Sequence, residues 1–98
     1  MNGPKRIYYP TGNLYSEFIY ALGDYHGDYR IYYPNGKVRE KGTYKLGELD
    51  GTLEKYNEDG SLYIVERYQM GVRSGKATVF EQGQKKMEFD FYGGLPYE

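Results

Sequence analysis

Apolar and aromatic residues alternate with polar ones in short segments of this chain, and glycine-containing turns separate the segments. In one such segment Val38, Tyr44 and Leu46 share one parity. Arg39 and Lys41 hold the opposite parity. A period of two is typical of a strand whose sheet is buried on one face. Since no segment keeps a helical period, the pattern predicts an all-β fold.

The pattern also recurs every 24 residues, because YYPNG begins at Tyr32, YYPTG at Tyr8 and YNEDG at Tyr56. Glycine and aromatic columns align through four successive copies, the last of which lacks one turn residue. A fixed period of this kind is the signature of a repeat protein. The prediction is a single repeat domain, residues 3–98, with units 3–26, 27–50, 51–74 and 75–98.

Each unit contains a hairpin turn signal. Proline at Pro34 fixes φ at about −65°, and Gly36 supplies the positive φ that closes a three-residue hairpin loop. Such a loop places Tyr32 opposite Val38, an aromatic facing an aliphatic residue across the strands. The equivalent structural turn glycines are Gly12, Gly36, Gly60 and Gly83.

The units combine into an elongated antiparallel meander of four repeated β-hairpins in a single layer. About eight strands, two in each unit, would span about 35–40 Å at roughly 4.8 Å per strand. Aromatic residues recur at two positions of each unit, and both positions are taken to lie on the same face of the sheet. These residues are predicted to form the structural core. They are Tyr8, Tyr20, Tyr32, Tyr44, Tyr56, Tyr68, Phe80 and Phe91.

The stretch YYPNGKVREKGTYKLGELDGTLEKYNEDGSL, residues 32–62, resembles the MORN-repeat variant family, and the resemblance extends over essentially the whole chain. It implies an elongated β-hairpin array. Many bacterial members of that family are labelled antitoxin-like or immunity-like, while ordinary MORN proteins are scaffolds or membrane-associated linkers. Each unit opens with a glycine, namely Gly3, Gly27, Gly51 and Gly75. The slot two residues after this opening glycine is often Trp in the family, and here it holds Lys5, Tyr29, Leu53 and Ala77.

Composition excludes several kinds of chemistry. The chain has 98 residues, no cysteine and a net charge of −1. It therefore has no disulfide framework, thiolate zinc site or thiol nucleophile. The N-terminal segment lacks the apolar core of a signal peptide. We expect a cytoplasmic protein, with an exported form whose signal was removed as the open alternative.

Candidate catalytic and metal-ligating residues are few. His26 is the single histidine; Asp24 and Asp28 could join it as weak ligands, but no further His or Cys completes a metal shell. Glu58 and Asp59 occupy the turn slot that Pro34-Asn35 fills one unit earlier, so turn chemistry accounts for them. No phosphate-binding loop or nucleophile–base pair is present. We expect no enzyme, no cofactor and no metal site.

Nucleic acid and lipid headgroups are disfavoured as partners. Lys37, Arg39 and Lys41 make the second strand of one unit basic, but Glu40 and Glu48 lie beside them. No neighbouring unit repeats the basic character, whereas backbone-tracking proteins need a continuous basic stripe.

The surplus of tyrosine, 14 residues, suggests a protein partner instead. Four tyrosines outside the predicted core are candidate partner-binding residues, because half-exposed phenols are enriched in interfaces. They are Tyr9, Tyr25, Tyr29 and Tyr33. Tyrosine could equally serve to cover a thin single-layer sheet, and the two interpretations are compatible.

Two functions stay open at this point. The first is a non-enzymatic protein-binding module that occludes another protein, as the resemblance to antitoxin-like and immunity-like members implies. The second is a structural or surface scaffold, or a membrane-proximal linker. Unpaired sheet edges also predict a homodimer, although Lys85, Lys86 and Glu88 put charge on the last edge.

Overall fold

The computed structural model of the protein describes residues 2–92 and 95–97; Glu98, the last residue of the predicted domain, lies outside the described residues. Within the described part, all regular elements are strands of one antiparallel sheet. The strands are β1 Gly3–Tyr8, β2 Leu14–Ala21, β3 Asp24–Tyr25, β4 Gly27–Tyr32, β5 Val38–Lys45, β6 Glu48–Leu49, β7 Gly51–Tyr56, β8 Leu62–Gln69, β9 Val72–Arg73, β10 Gly75–Glu81, β11 Gln84–Tyr92 and β12 Leu95–Tyr97.

The strand order β1-β2-β4-β5-β7-β8-β10-β11-β12 confirms the predicted all-β meander. The two-residue strands β3, β6 and β9 pair with β2, β5 and β8 and lie off this path. They raise the strand count above the predicted eight. Each one is the start of the following strand, separated from it by a single residue such as His26.

The first three long hairpins close through the predicted three-residue loops, and the fourth closes through the two residues Gln82 and Gly83. In the second unit the Tyr33 N–H donates to the Lys37 carbonyl at 2.8 Å, and the Gly36 N–H donates to the Tyr33 carbonyl at 2.9 Å. Gly36 has φ 88°, and Tyr32 lies opposite Val38. The register follows from local turn chemistry, because proline and glycine set the loop before any distant contact forms.

A β-bulge next to each three-residue loop changes which residues share a face. Ile31 pairs with Glu40, but the next residue, Tyr32, pairs with Val38, so Arg39 is an extra residue on β5. Tyr32 and Tyr44 therefore lie on opposite faces of the sheet. The prediction of a single core parity is wrong for this reason.

The two faces differ in chemistry. The aromatic face carries Lys5, Phe18, Tyr20, Tyr25, Tyr29, Tyr44, Leu53, Lys55, Glu66, Tyr68, Arg73, Ala77 and Phe91. The charged face carries Arg6, Tyr8, Glu17, Arg30, Tyr32, Lys41, Glu54, Tyr56, Arg67, Phe80 and Glu88. The eight aromatic residues predicted as core are thus divided four and four. Tyr8 is a further correction, since its side chain is 56% exposed.

Tight two-residue turns follow β2, β5 and β8. Leu46 and Gly47 both have positive φ, 51° and 84°, which defines a type I′ hairpin turn. Leu22, Leu46 and Met70 stand at the tips of these turns and are mostly exposed. The assignment of Leu46 to the buried parity with Val38 and Tyr44 is therefore wrong. Their turns reverse the chain before the alternation can extend to them.

The residue just before each opening glycine supports the next tight turn. The Leu46 N–H donates to His26 Nδ1 at 3.3 Å, and the Met70 N–H donates to Asp50 Oδ1 at 3.2 Å. The first turn has the same arrangement, with the Leu22 N–H donating to Asn2 Oδ1 at 2.8 Å. Each tight turn is therefore held by a hydrogen bond to a residue that precedes its own unit in the chain.

Among the described residues, the buried apolar side chains all belong to the slot two residues after an opening glycine. Tyr29, Leu53 and Ala77 are each only 3% exposed. Tyr29 was predicted to contact a partner, and that prediction is wrong. The slot lies on the aromatic face in the middle of the sheet, where neighbouring strands cover it from both sides.

The sheet is a single layer, with extents of 43 × 33 × 14 Å. Strands of one layer bury side chains against their neighbours on the same face, because no second layer covers them. No helix among the described residues is long and apolar enough to span a membrane.

Candidate protein-binding face

The aromatic face is built around a cluster of stacked rings in the first two units. Phe18 lies parallel to Tyr29, with centroids 4.8 Å apart and planes 5° apart. Tyr25 contacts Phe18 at 4.7 Å and Tyr44 at 5.3 Å. Tyr20 adds a contact to Tyr25 at 4.6 Å. Ring pairs at these distances stabilise one another beyond simple area burial, so the cluster is a preformed surface.

Tyr29 anchors the cluster. Its hydroxyl donates to Glu40 Oε2 at 2.6 Å, and its ring covers Gly42, the residue directly opposite on β5. Burial, together with the hydrogen bond to Glu40, raises the pKa of the Tyr29 phenol far above its ordinary value. Burial and the nearby Glu40 charge also raise the pKa of Tyr44. Both phenols remain protonated at neutral pH.

The third and fourth units continue the face with an ion pair. Glu66 is 2% exposed, and its Oε2 lies 2.6 Å from Nη2 of Arg73. The Lys55 ammonium lies 3.8 Å from Glu66 Oε1, too far for a direct hydrogen bond. Arg73 also lies over the Phe91 ring, 5.0 Å from its centroid. A buried carboxylate needs such partners to remain charged.

Two of the four candidate partner-binding tyrosines have other contacts. The Tyr9 hydroxyl donates to the Tyr32 carbonyl at 2.7 Å, and the Tyr33 hydroxyl donates to the Tyr56 carbonyl at 2.7 Å. Each bond joins one unit to the next beside the hairpin loops. Tyr9 and Tyr33 are half-buried and separate from the ring cluster.

Tyr25 and Tyr29 do lie together on the aromatic face, but only Tyr25 is accessible. Among the residues that prediction from sequence missed, Phe18 and Gly42 are the most informative. Both lie opposite the slot after an opening glycine, Phe18 facing Lys5 and Gly42 facing Tyr29. For Gly42, the pairing of the large Tyr29 with a residue that has no side chain was the available signal.

The charged face carries both signs. Arg6 Nε lies 2.6 Å from Glu17 Oε2, and Lys41 Nζ lies 3.7 Å from Glu54 Oε1. Lys41 also lies over the Tyr56 ring at 5.8 Å. Interspersed charges of this kind do not form a single-sign field.

The histidine and turn carboxylates have structural partners. His26 Nδ1 accepts the Leu46 N–H, and Asp28 Oδ1 accepts the Thr43 hydroxyl at 2.9 Å. Asp59 Oδ1 accepts the Ser61 N–H at 2.8 Å, and its hydrogen bonds to Ser61 hold the pKa of that carboxyl below its usual value. Over residues 2–92 and 95–97, no group of three or more acidic or histidine side chains could hold a metal ion.

Successive hairpins of one design, stacked edge to edge in one layer, define a β-hairpin repeat protein. Residues 1–21 and 25–46 match the model of the MORN repeat variant family, so the first two units of the chain are MORN repeats of the variant type. This family consists of non-catalytic repeat modules. No curated protein and no solved structure matches the chain.

Proposed function

We propose that this protein is a non-enzymatic binding module that occludes a partner protein with its aromatic face. One observation carries the proposal. The sheet is a single layer 14 Å thick, so the rings of Tyr20, Tyr25 and Tyr44 stay half-exposed although they are locked against one another. Rigid tyrosines give a large contact area with little loss of side-chain entropy on binding.

The chemistry of the face favours a particular kind of partner. Its carboxylates are already engaged, Glu40 by Tyr29 and Glu66 by Arg73. Cations lie over two of its rings, Lys5 at 5.7 Å from the centroid of Tyr20 and Arg73 at 5.0 Å from that of Phe91. We infer that the partner presents an apolar patch with an acidic rim, because aromatic centres and complementary rim charges suit such a surface.

The dimensions of the sheet suit occlusion. A face of 43 × 33 Å is larger than the roughly 800 Å² that each partner contributes to a standard interface. A flat sheet of this size would cover a functional site on another protein. A scaffold role needs no such contiguous aromatic surface.

The test compares two matched sets of three tyrosines, one set on each face of the sheet. Each set has one tyrosine in each of the first three units. The aromatic-face variant is Tyr20→Ser, Tyr44→Ser and Tyr68→Ser. The control is Tyr8→Ser, Tyr32→Ser and Tyr56→Ser. Partners captured from the source cells would be purified and titrated by calorimetry, with the partner's own activity as the measure of occlusion.

We expect the aromatic-face variant to lose about a hundredfold or more in affinity, as truncation of central aromatic residues does. The control should bind within a few-fold of the wild type. Circular dichroism tests whether both variants are folded. If the triple aromatic-face variant is unfolded, the single variant Tyr20→Ser, near the open edge of the sheet, replaces it in the binding assay. Equal loss in both sets, or binding without inhibition, would contradict occlusion by this face.

A further inference from the structure

Neighbouring hairpins join through a recurring pair of contacts. At each junction two residues of one strand pair with two residues of the next long strand. The junctions are Ser16–Ile31 with Glu17–Arg30, Glu40–Lys55 with Lys41–Glu54, and Ile64–Val79 with Val65–Thr78. The first pair of each junction lies on the aromatic face, and the second lies on the charged face.

Opposite charges meet on the charged face at the first two junctions. Glu17 lies opposite Arg30 across β2 and β4. Lys41 lies opposite Glu54 across β5 and β7, with 3.7 Å between the charged atoms. Opposite charges directly across two strands favour pairing, and like charges disfavour it.

The two ends of the array carry the halves of one more junction. On β11, Met87 and Glu88 hold the positions that Ser16 and Glu17 hold on β2, because they pair with Val79 and Thr78 as those residues pair with Ile7 and Arg6. On β1, Arg6 and Ile7 correspond to Arg30 and Ile31, 24 residues later.

Both halves are open within the described part of the chain. There β1 pairs with β2 alone, and Met87 and Glu88 pair with β10 alone. Ile7 is 44% exposed, although its counterpart Ile31 is half-buried inside the array. Met87 is 49% exposed, although its counterpart Ser16 is buried.

We propose that a second copy of this chain docks head to tail on this one. Strand β1 of one copy pairs antiparallel with β11 of the other, with Ile7 opposite Met87 and Arg6 opposite Glu88. The docked pair joins two exposed apolar side chains on one face and two opposite charges on the other. This is the arrangement of Glu17 and Arg30 inside the array.

Strand β12 leaves room for this docking. It pairs with Asp90, Phe91 and Tyr92 of β11, the stretch that corresponds to the contact between β9 and β8. Met87 and Glu88 lie outside that contact and remain available to Ile7 and Arg6 of β1. Because head and tail differ, the contact is heterologous, and each docked copy leaves one head and one tail free to bind a further copy.

The test measures mass by sedimentation velocity from about 10 µM to about 1 mM, a range that reveals weak association. The wild type should gain mass with concentration. Arg6→Glu alone and Glu88→Arg alone each place like charges at the junction and should weaken association about tenfold or more. Arg67→Glu, an exposed site on the charged face of β8, is the matched control and should assemble as the wild type does.

An equimolar mixture of the two junction variants gives the decisive result. Position 6 of one variant then meets position 88 of the other with opposite charge, so the mixture should assemble more strongly than either variant alone. This rescue requires both variants to be folded, which separates the proposal from simple destabilisation. A monomeric wild type at about 1 mM, single variants that assemble normally, or a monomeric mixture would each overturn it.

Discussion

Gly42 is the position at which the packing of the aromatic face is most easily tested. A Cβ atom added there would lie 2.8 Å from Cε1 and 3.2 Å from Cζ of Tyr29. Carbon atoms in contact ordinarily lie about 3.5–4.0 Å apart, so the ring would have to move by about 0.7 Å. The stacked Phe18 ring and the 2.6 Å hydrogen bond to Glu40 resist that movement.

The expected cost follows from these contacts. Overpacking by one methyl group costs about 1–3 kcal/mol when the neighbours cannot relax. Replacing glycine by alanine recovers about 0.4–1 kcal/mol by restricting the unfolded chain, since Gly42 has no positive φ that alanine would strain. We expect Gly42→Ala to destabilise the protein by about 1–2 kcal/mol net, which lowers Tm by roughly 5–15 °C in a domain of this size.

A double variant identifies the cause. Tyr29→Leu installs the residue type found one unit later at Leu53, and it removes the clashing ring. In that background Gly42→Ala should be neutral or stabilising, with a coupling free energy of about 1 kcal/mol or more. Thermal and urea unfolding provide the measurement. An unchanged Tm for Gly42→Ala alone, or strict additivity of the two substitutions, would refute the packing argument.

Three further outcomes are expected. Gly36→Val and Gly83→Val each force a β-branched residue to positive φ, 88° and 80°, and should each destabilise the protein by about 1–2 kcal/mol. Variants that melt at the wild-type temperature would contradict the turn assignment. Leu46→Asn, at φ 51°, should raise stability by about 0.5–1 kcal/mol in the same assay, and a loss would contradict the strain at that turn. The raised pKa of Tyr29 stabilises the fold below the unfolded tyrosine pKa of about 10, and this contribution is lost as pH rises further, by up to about 1.4 kcal/mol per pH unit. Urea unfolding at pH 9 and 11 should therefore show a smaller loss for Tyr29→Phe than for the wild type, and an equal loss would argue against a protected phenol.

The long hairpins could be predicted because their information is local. Pro34 and Gly36 restrict the backbone of the loop itself, and the loop then dictates that Tyr32 faces Val38. Repetition of the same signal in neighbouring units makes the meander the simplest arrangement. Architecture and register on this side of the sheet therefore follow from residue types alone.

The distribution of residues between the two faces could not be predicted in the same way. Arg39 continues an alternating pattern, and a bulge at a polar residue leaves no trace in composition. One unnoticed extra residue moves every later side chain to the other face. This is why Tyr32 and Tyr44 were assigned to one core, and why Tyr9 and Tyr33 were grouped with Tyr25 and Tyr29 in one candidate site.

The tight turns escaped prediction because leucine and methionine rarely adopt positive φ. Asn-Gly at these positions would have indicated a two-residue hairpin, whereas Leu46-Gly47 looks like the end of an apolar strand. Without those turns the short strand that brings Tyr25 beside Tyr20 is invisible. The apolar residues at the three turn tips, Leu22, Leu46 and Met70, carry a stability cost that composition alone does not explain.

The support of each tight turn by earlier residues gives the array a direction of growth. The acceptors Asn2, His26 and Asp50 each precede by 20 residues the N–H that they bind. During synthesis the N-terminal part of a chain emerges first, so every turn meets a platform that already exists. Each new hairpin can then be added at one end without waiting for distant sequence, and nascent chains halted after any complete unit should already protect their finished turns from hydrogen exchange.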